Sequence, residues 1–189
     1  MKKSILIACG LIGLSFGLSS CAAVVVGGAT GAAAATDSRG VSGVVDDQSI
    51  EHYVNNALSA HVPDGSYTVA SFQGRVLLAG QVPSKAYKEK AYMAAKNTKG
   101  VRHVYNYLKV ADNESVSDIS YDTYLTSLAK TRLFGQKGVN SNNVKVVTCD
   151  SIVYILGKDA GDPLQIKGAI QGIKNIDGVD SVVNLIIRK

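Results

Sequence analysis

Apolar and polar residues alternate along two stretches of the chain, YTVASFQGRVLLAGQV from Tyr67 and VKVVTCDSIVYILGKD from Val144. In each stretch a two-residue polar turn, QG at 73–74 or DS at 150–151, divides the alternating run into two halves. Successive side chains of a strand point to opposite faces of a sheet, so this pattern is typical of a hairpin with a buried face. The sequence therefore predicts a β-hairpin in each stretch.

Helical spacing of apolar residues follows each hairpin, in residues 84–98 and 162–176. A glycine then ends each helix, Gly100 in the first and Gly178 in the second, as residues with a left-handed backbone commonly do. The phrases GVRHVYN and GVDSVVN begin at these glycines and run into apolar residues. They predict a third strand after each second helix, with its valines facing a core.

The same correspondence extends upstream of the hairpins. The segments DQSIEHYVNNALSAH from Asp47 and DISYDTYLTSLAKTRLF from Asp118 both carry apolar residues at helical spacing, and Tyr53 aligns with Tyr124. In the second copy the predicted buried stripe comprises Tyr121, Leu125, Leu128 and Ala129. The second copy has six more residues before its hairpin, in the stretch TRLFGQKG, so its first helix is predicted to be the longer one.

The chain is therefore a duplication of one helix–strand–strand–helix–strand unit. We predict an α+β fold of two tandem αββαβ domains, at residues 46–111 and 118–189, joined by a linker at 112–117. A unit of about 70 residues is close to the size at which a single hydrophobic core is only marginally stable. We therefore expect the two domains to pack against each other.

The N-terminus has the layout of a bacterial lipoprotein signal. Lys2 and Lys3 precede an apolar run at residues 5–18, which is too short to span a hydrocarbon core of about 30 Å. The run ends in LSSC, which resembles the lipobox whose cysteine is acylated and becomes the first residue of the mature protein. We predict a signal peptide at residues 1–20 and an acylated Cys21.

Residues 21–45 are predicted to form a tether, because AAVVVGGATGAAAA consists mostly of glycine and alanine, which add little transfer energy. An uncleaved membrane anchor is the alternative, since residues 4–36 contain no charged side chain. Ala22 follows the cysteine, whereas an aspartate at that position retains enteric lipoproteins in the inner membrane. The sequence thus predicts an outer-membrane location, facing the periplasm.

The charge balance limits the classes of binding partner, and the cysteine count limits the possible disulfides. The chain has 20 basic and 15 acidic residues, and loss of Lys2 and Lys3 with the signal leaves 18 basic residues. This excess permits contact with anionic surfaces, but no basic run with interleaved aromatics predicts nucleic-acid binding. Cys9 leaves with the signal and Cys21 carries lipid, so an intramolecular disulfide is excluded and Cys149 is predicted to be a buried strand residue.

No catalytic or metal-binding constellation appears in the sequence. The histidines His52, His61 and His103 are far apart, and no Cys, Asp or Glu stands at zinc-ligand spacing. A nucleophile elbow, a P-loop and a dinucleotide-binding fingerprint are missing. The acid pair Asp46-Asp47 is expected to stabilise the positive end of the helix that follows. We therefore predict a protein that is not an enzyme, with no cofactor, no metal and no small-molecule substrate.

The repeated motifs carry a family resemblance. A hairpin ending in glycine (VLLAGQV, VYILGK), a helix and the phrase GV–xx–V–xN together resemble the BON domain. Two such units behind a lipobox resemble the dual BON-domain outer-membrane lipoproteins, the DolP/YraP-like family. The resemblance implies that each unit is an αββαβ two-layer sandwich. It also implies a lipid-anchored protein that supports outer-membrane integrity by binding anionic phospholipid.

The resemblance further implies where the lipid is bound. In the family, lipid contact is attributed to the first helix of the second domain, around the aromatic residue of a D–T–aromatic motif. That motif is Asp122, Thr123 and Tyr124 in this chain. The usual aromatic of the family is tryptophan, which this chain lacks. Tyrosine still suits a membrane interface, because it combines an apolar ring with a polar hydroxyl.

Helical geometry is compatible with such a surface. With Leu125 at the centre of the buried stripe and about 100° per residue, Tyr124 lies to one side and Phe134 roughly opposite the core. Lys130 and Lys137 fall on the far flank. Tyr124, Lys130, Phe134 and Lys137 are therefore the predicted lipid-binding residues, because apolar groups beside cations suit an interfacial helix under anionic headgroups.

Three other interpretations stay open on the sequence alone. Phe134 would lie past the helix end and pack on the sheet or on the other domain. The same exposed helix would dock a protein partner, which would make the molecule an adaptor for envelope assembly machinery, since aromatics are also enriched at protein interfaces. Alternatively, the molecule is a passive structural lipoprotein without a specific ligand.

Overall fold

A computed structural model of the protein describes residues 40–111 and 116–188, with side chains for 46–111 and 118–188. The predicted signal peptide, Cys21 and most of the predicted tether lie outside the described residues. In the first copy α1 spans Gly40–His61, β1 Ser66–Phe72, β2 Arg75–Val82, α2 Lys85–Lys96 and β3 His103–Val110. In the second copy α3 spans Val116–Phe134, β4 Val144–Cys149, β5 Ile152–Lys158, α4 Pro163–Lys174 and β6 Ser181–Ile187. The predicted α+β fold of two αββαβ units is confirmed.

Each copy forms a three-stranded sheet around its middle strand. β2 pairs with β1 in antiparallel and with β3 in parallel, and β5 pairs in the same way with β4 and β6. The φ angles are 54° and 74° at Gln73 and Gly74, and 55° and 57° at Asp150 and Ser151. Two consecutive positive φ values are typical of the type I′ turn, whose twist suits a tight hairpin. The hairpins and their turn positions are confirmed.

Two helices cover one face of each sheet. In β2, Val76 and Leu78 belong to the core formed with α1 and α2, whereas Leu77 and Ala79 lie on the other face of the strand. β5 shows the same division between the core under α3 and α4 and a second apolar face. Both middle strands are therefore buried on both sides, which is why they read as nearly continuous apolar runs.

The uncovered faces of the two sheets pack against each other. Their shared core comprises Ala70, Phe72, Leu77, Ala79, Cys149, Tyr154 and Leu156, none of them more than 3% exposed. Tyr107 meets Tyr154 edge-on, with the ring centroids 5.3 Å apart. The layers therefore run helix, sheet, sheet, helix, and the expected packing of the two units is confirmed. Cys149 is buried on its strand, as predicted.

Ion pairs between the two copies lie at the edge of this intersheet core. Lys145 of β4 pairs with Glu51 of α1, and Lys109 of β3 pairs with Asp150 in the β4–β5 turn. The lysine and glutamate of the first pair are partly buried, whereas both members of the second are more exposed. The apolar core therefore contributes most of the stability of this interface, since exposed ion pairs contribute little.

Both first helices begin earlier than the sequence predicted. α1 begins at Gly40, whereas the first domain was predicted to begin at residue 46, so the last residues assigned to the tether are helical. α3 begins at Val116, inside the segment assigned to the linker. The extension is favourable because residues added to a helix already held by packing avoid the cost of nucleation. Within the described residues, no helix combines the length and the apolarity needed to cross a bilayer.

Asp47 has a different role from the one predicted for the acid pair. It lies inside α1 and is 2% exposed. Its carboxylate accepts hydrogen bonds from the backbone N–H groups of Gln73 and Gly74 at 2.7 and 2.9 Å, and from the Ser71 hydroxyl at 2.7 Å. Because the helix starts earlier than expected, Asp47 ties α1 to the β1–β2 turn instead of stabilising a helix terminus.

Candidate functional site

A buried carboxylate fixes the first helix of the second copy. Asp122 is 5% exposed, and its two oxygens accept hydrogen bonds from the backbone N–H groups of Asp150 and Ser151 at 2.6 and 3.0 Å. One turn further along α3, the Thr126 hydroxyl donates to that of Thr148 at 2.8 Å. The buried residues of the described part of α3 are Asp122, Leu125, Ala129 and Leu133. These contacts set the rotation of α3 about its axis.

Two aromatic side chains project from the other side of α3. Tyr124 is 56% exposed and Phe134, the last residue of the helix, is 40% exposed. At about 100° per residue both lie roughly 140° from the centre of the buried residues. Lys130 is exposed on the same helix. Lys137 lies in the turn after α3, so its position is not the one that an extended helix predicted.

A ladder of hydroxyl groups fills the helix surface between the two aromatics. Thr123, Ser127 and Thr131 each donate to the carbonyl oxygen four residues earlier, at 3.0, 3.2 and 3.0 Å. A hydroxyl that already donates a hydrogen bond to a helix carbonyl oxygen needs no water molecule as its acceptor. This surface can therefore enter an apolar environment at a lower desolvation cost than free hydroxyls would have.

Tyr121 extends the aromatic surface, although the sequence placed it in the buried stripe. It is 43% exposed, and its ring centroid lies 6.1 Å from that of Tyr124. Its hydroxyl reaches the corner before β6, 3.5 Å from the carbonyl oxygen of Asp177. The tyrosine is too long to end within the core beside Leu125, so its ring extends over the Gly178 corner. In the sequence, only the spacing of two tyrosines three residues apart indicated this cluster.

Positive charge surrounds the C-terminal half of α3. Lys130, Arg132 and Lys137 are exposed, and none of them forms an ion pair within the described part of the chain. Cations near a helix C-terminus interact favourably with the helix dipole. The three charges are available to anionic groups outside the molecule. Aromatic rings beside unpaired cations can contact the apolar and phosphate parts of one amphipathic ligand.

The first helix of the first copy has an exposed tyrosine like that of α3 but lacks the second exposed aromatic residue. Tyr53, which aligns with Tyr124, is 55% exposed. α1 has 22 residues and α3 has 19, so the prediction of a longer helix in the second copy was wrong. The six extra residues lie mainly in the loop that follows α3, where a 3-10 turn spans Ser141–Asn143. Phe134 has no counterpart at the end of α1, because that position falls after His61.

A groove opens in the first copy where the second copy has Tyr121. It has a volume of about 860 Å³ and lies between α1 and the α2–β3 corner, bordered by Tyr53, Lys99 and Arg102 among others. Ile50 occupies the position of Tyr121 and is 6% exposed. The shorter isoleucine stays in the core, which leaves the space above the corner open.

The histidine, cysteine and carboxylate side chains of the described residues are dispersed over the fold. No group of three or more His, Cys, Asp or Glu side chains within them lies close enough together to hold a metal ion. His52, His61 and His103 are all exposed. Burial raises the pKa of the Tyr154 hydroxyl above its ordinary range. Tyr154 lies in the intersheet core, so this shift does not concern the surface of α3.

Similarity to known proteins covers both copies. Residues 46–112 and residues 121–189 each match the BON domain family. The outer membrane lipoprotein DolP of Haemophilus influenzae is 36% identical to the chain, over 88% of this chain and 90% of that protein. The 21 kDa hemolysin of Actinobacillus pleuropneumoniae is 31% identical, over 79% of this chain and 78% of its own length. Osmotically-inducible protein Y of Escherichia coli is 35% identical, over 76% of this chain and 73% of its own length.

Proposed function

The chain belongs to the BON-domain family, and on that premise we propose that it is a lipid-anchored binding module of the outer membrane. In this proposal Cys21 carries the acyl group and the protein faces the periplasm. Its second BON domain docks on anionic phospholipid and so supports outer-membrane integrity. Similarity to an outer membrane lipoprotein over most of both chains supports this location. A covalent lipid together with a weak interfacial contact localises a protein at a membrane better than either does alone.

The outward surface of α3 is the observation that carries the proposal. Tyr124 and Phe134 are exposed there although both are large and apolar over most of their area. The hydroxyls between them are bonded to the helix itself. Lys130, Arg132 and Lys137 stand beside the aromatics without ion pairs in the described part of the chain. Such a surface fits the boundary between acyl chains and anionic headgroups.

Apolar burial and electrostatic attraction together indicate a modest affinity for the membrane. Fully burying a side chain of the size of phenylalanine contributes about 1.5–3 kcal/mol, and a half-buried one contributes less. Each Lys or Arg near an anionic surface contributes about 1 kcal/mol, and this part is screened by salt. We therefore expect binding that requires anionic headgroups and weakens with salt, while the apolar part persists.

The chain offers a direct test of insertion because it contains no tryptophan. Tyr124→Trp introduces a single indole at the proposed contact, in the unacylated chain with Cys21→Ser and without residues 1–20. We expect its fluorescence to shift to shorter wavelength with vesicles containing phosphatidylglycerol, and not with phosphatidylcholine vesicles. The matched control is Tyr53→Trp, at the aligned and equally exposed position of α1, whose emission should shift less because α1 has no second aromatic at the position of Phe134.

Affinity is measured on the same vesicles by flotation. The double variant Tyr124→Ala, Phe134→Ala should bind anionic vesicles about tenfold more weakly or worse, a loss of about 1.4 kcal/mol or more. Both side chains are exposed, so the thermal midpoint should change little. An indole at position 124 that never shifts, together with unchanged flotation of the double variant, would contradict the proposal. That result would favour an adaptor that uses α3 to bind a protein of the envelope.

A further inference from the structure

The two copies differ in charge far more than in fold. Residues 85–102 of the first copy include α2 and the corner after it, and they carry six cations and one acid. The cations are Lys85, Lys88, Lys90, Lys96, Lys99 and Arg102, and the acid is Glu89. The aligned residues 163–180 carry two lysines and two aspartates. Asp177 and Asp180 stand in the positions of Lys99 and Arg102, so the fold itself does not require the positive charge.

The rotation of α2 directs most of this charge to solvent. Ala91 and Ala95 are fully buried against the sheet, whereas Met93 is 45% exposed. At about 100° per residue, Lys90 and Lys96 lie roughly 60° to either side of Met93. Lys85, Lys99 and Arg102 are also exposed. We call these six residues the basic face of the first domain: Lys85, Lys90, Met93, Lys96, Lys99 and Arg102.

The five cations of the basic face outnumber the acids beside them, of which Glu89 lies on the same side of α2. None of these cations forms an ion pair with a described residue. Lys90 lies over the ring of Tyr87 at 5.3 Å from its centroid, and Lys96 over that of Tyr92 at 5.7 Å. The aromatic rings hold the lysine stems along the helix surface and leave the ammonium groups in water. An exposed cluster of this kind attracts a surface of opposite charge.

The residue types favour a lipid surface over a protein partner. All but one of the cations of the basic face are lysines, and protein interfaces are depleted in lysine and enriched in arginine. Clusters of about four to eight Lys or Arg on an amphipathic helix are typical of binding to anionic lipid headgroups. We infer that the basic face of the first domain is a second docking surface for anionic phospholipid.

The layer order gives this second surface a distinct consequence. α2 covers the outer side of the first sheet, and α3 covers the outer side of the second. Two packed sheets, about 10 Å apart, lie between the helix layers. The basic face and the α3 surface therefore point to opposite sides of the molecule, and one flat bilayer cannot contact both. Given the proposed function of α3, the protein can bind two anionic membrane surfaces at once.

Vesicle clustering tests the inference, because a monomer joins two vesicles only when it has two lipid-binding faces. The unacylated chain with Cys21→Ser is mixed with vesicles of equal parts phosphatidylglycerol and phosphatidylcholine, and particle size is followed by light scattering. We expect the wild-type chain to cluster these vesicles and to leave pure phosphatidylcholine vesicles dispersed. Lys96→Glu, Lys99→Glu should lower clustering at least about tenfold while the protein still floats with the vesicles and keeps the Tyr124→Trp emission shift.

Matched variants separate a local effect from one of total charge. Lys167→Glu, Lys174→Glu changes the net charge by the same amount on α4, and Lys174 aligns with Lys96. This control should still cluster vesicles, as should Lys96→Arg, Lys99→Arg. The variant Tyr124→Ala, Phe134→Ala should lose clustering as well, because it removes the other face. Circular dichroism of each variant establishes that these surface changes leave the protein folded.

The outcomes distinguish this inference from the proposed function. Flotation without clustering by the wild-type chain overturns the second surface and leaves the proposed function intact. Equal clustering by the Lys96→Glu, Lys99→Glu variant also overturns the inference and would favour a protein partner for this face. Loss of flotation in that variant alone, with normal binding by Tyr124→Ala, Phe134→Ala, would instead place the lipid contact in the first domain and overturn the proposed function of α3.

Discussion

Asp122 and Tyr124 lie two positions apart on α3 and face opposite ways. The carboxylate of Asp122 accepts the N–H groups of Asp150 and Ser151 in the β4–β5 turn, while the ring of Tyr124 is exposed. At the residue scale, the D–T–aromatic motif therefore contains a buried anchor and an exposed aromatic side chain. The anchor fixes the helix rotation that points the aromatic outward. The motif's acid thus has a structural role that the family resemblance did not specify.

Replacing the anchor should weaken the second domain. Asp122→Ala leaves two turn N–H groups without an acceptor in a site that is 5% exposed. Hydrogen bonds to charged groups contribute about 1.5–3 kcal/mol, so we expect a loss of unfolding free energy of that order. Urea denaturation measures it, with Asp177→Asn at an exposed position as the control within about 0.5 kcal/mol of wild type. Equal midpoints for both variants would contradict the anchoring role.

The matched asparagines of the repeated phrase also have a local structural role. The side-chain oxygen of Asn106 accepts the N–H of Leu108 at 3.2 Å, and that of Asn184 accepts the N–H of Ile186 at 3.1 Å. Asn106 also donates to the carbonyl oxygen of Lys88 in α2 at 3.3 Å. Each asparagine therefore satisfies a backbone donor on the outer edge of its sheet, which explains why the two copies share it.

At the scale of elements, the corner between the second helix and the third strand of each domain restricts most strongly which residue can occupy it. Gly100 and Gly178 have φ angles of 90° and 88°, in the left-handed region that glycine adopts without strain. In the second domain the corner also supports the ring of Tyr121. A Cβ on Gly178 would lie 2.0 Å from the hydroxyl oxygen of Tyr121. Gly178 is therefore needed both for the left-handed backbone of the corner and for the space that Tyr121 occupies.

Two glycines six residues apart should respond in opposite directions to the same substitution. Gly178→Ala forces a strained φ and a clash with Tyr121, so we expect a loss of more than about 1 kcal/mol. Gly172 lies inside α4, and a Cβ there would meet no atom within 4 Å. Gly172→Ala should raise the stability by about 0.5–1 kcal/mol, because alanine is the better helix former. Thermal unfolding of both variants checks the sign, and destabilisation by Gly172→Ala would contradict this account.

At the scale of the whole molecule, the two domains share a core that neither could bury alone. Phe72, Leu77 and Tyr154 are at most 2% exposed because the sheets face each other. Without the partner sheet these side chains would form an apolar patch on each domain. The two domains should therefore unfold together, and a free single domain should be prone to association. The same packing places the two helix layers on opposite sides of the molecule.

Alkaline pH should weaken this shared core through Tyr154. Burial, with smaller effects of nearby Cys149 and Tyr107, raises the pKa of the Tyr154 hydroxyl above its ordinary value of 10.0. The folded state holds the neutral phenol, so its stabilisation is complete below pH 10 and is lost as pH rises above that value. The loss approaches about 1.4 kcal/mol per pH unit for one group.

Urea unfolding between pH 8 and pH 11 measures the effect as a difference between variants. Tyr154→Phe removes the ionisable group and should make the decline of stability with pH less steep than in wild type. Tyr53→Phe, at an exposed position, should follow the wild-type curve. Parallel curves for wild type and Tyr154→Phe would contradict a role of the buried phenol.

The repeat, its element order and its turns were accessible from the sequence because they depend on neighbours along the chain. Alternation of apolar residues located the hairpins, and Gly100 and Gly178 located the corners. The exposure of Tyr124 and Phe134 followed from helical spacing around Leu125. These local patterns did not predict the lengths of the first helices, because tertiary packing decides where those helices begin and end. α1 starts at Gly40 because it is already held by its core, and the extra residues of the second copy form a loop, not a longer helix.

Only the tertiary structure decided which apolar face meets which. β2 and β5 are apolar on both sides, so their sequence cannot distinguish the face under the helices from the face against the other sheet. The position of Tyr121 over Gly178 and the pairing of Lys145 with Glu51 join residues that lie far apart in the chain. Hydrophobic burial is non-directional, and the partner of an apolar face is therefore chosen by the shape of the folded chain. The sequence by itself determined the elements and the charge of each helix, and the packing of the sheets determined that these charges lie on opposite sides.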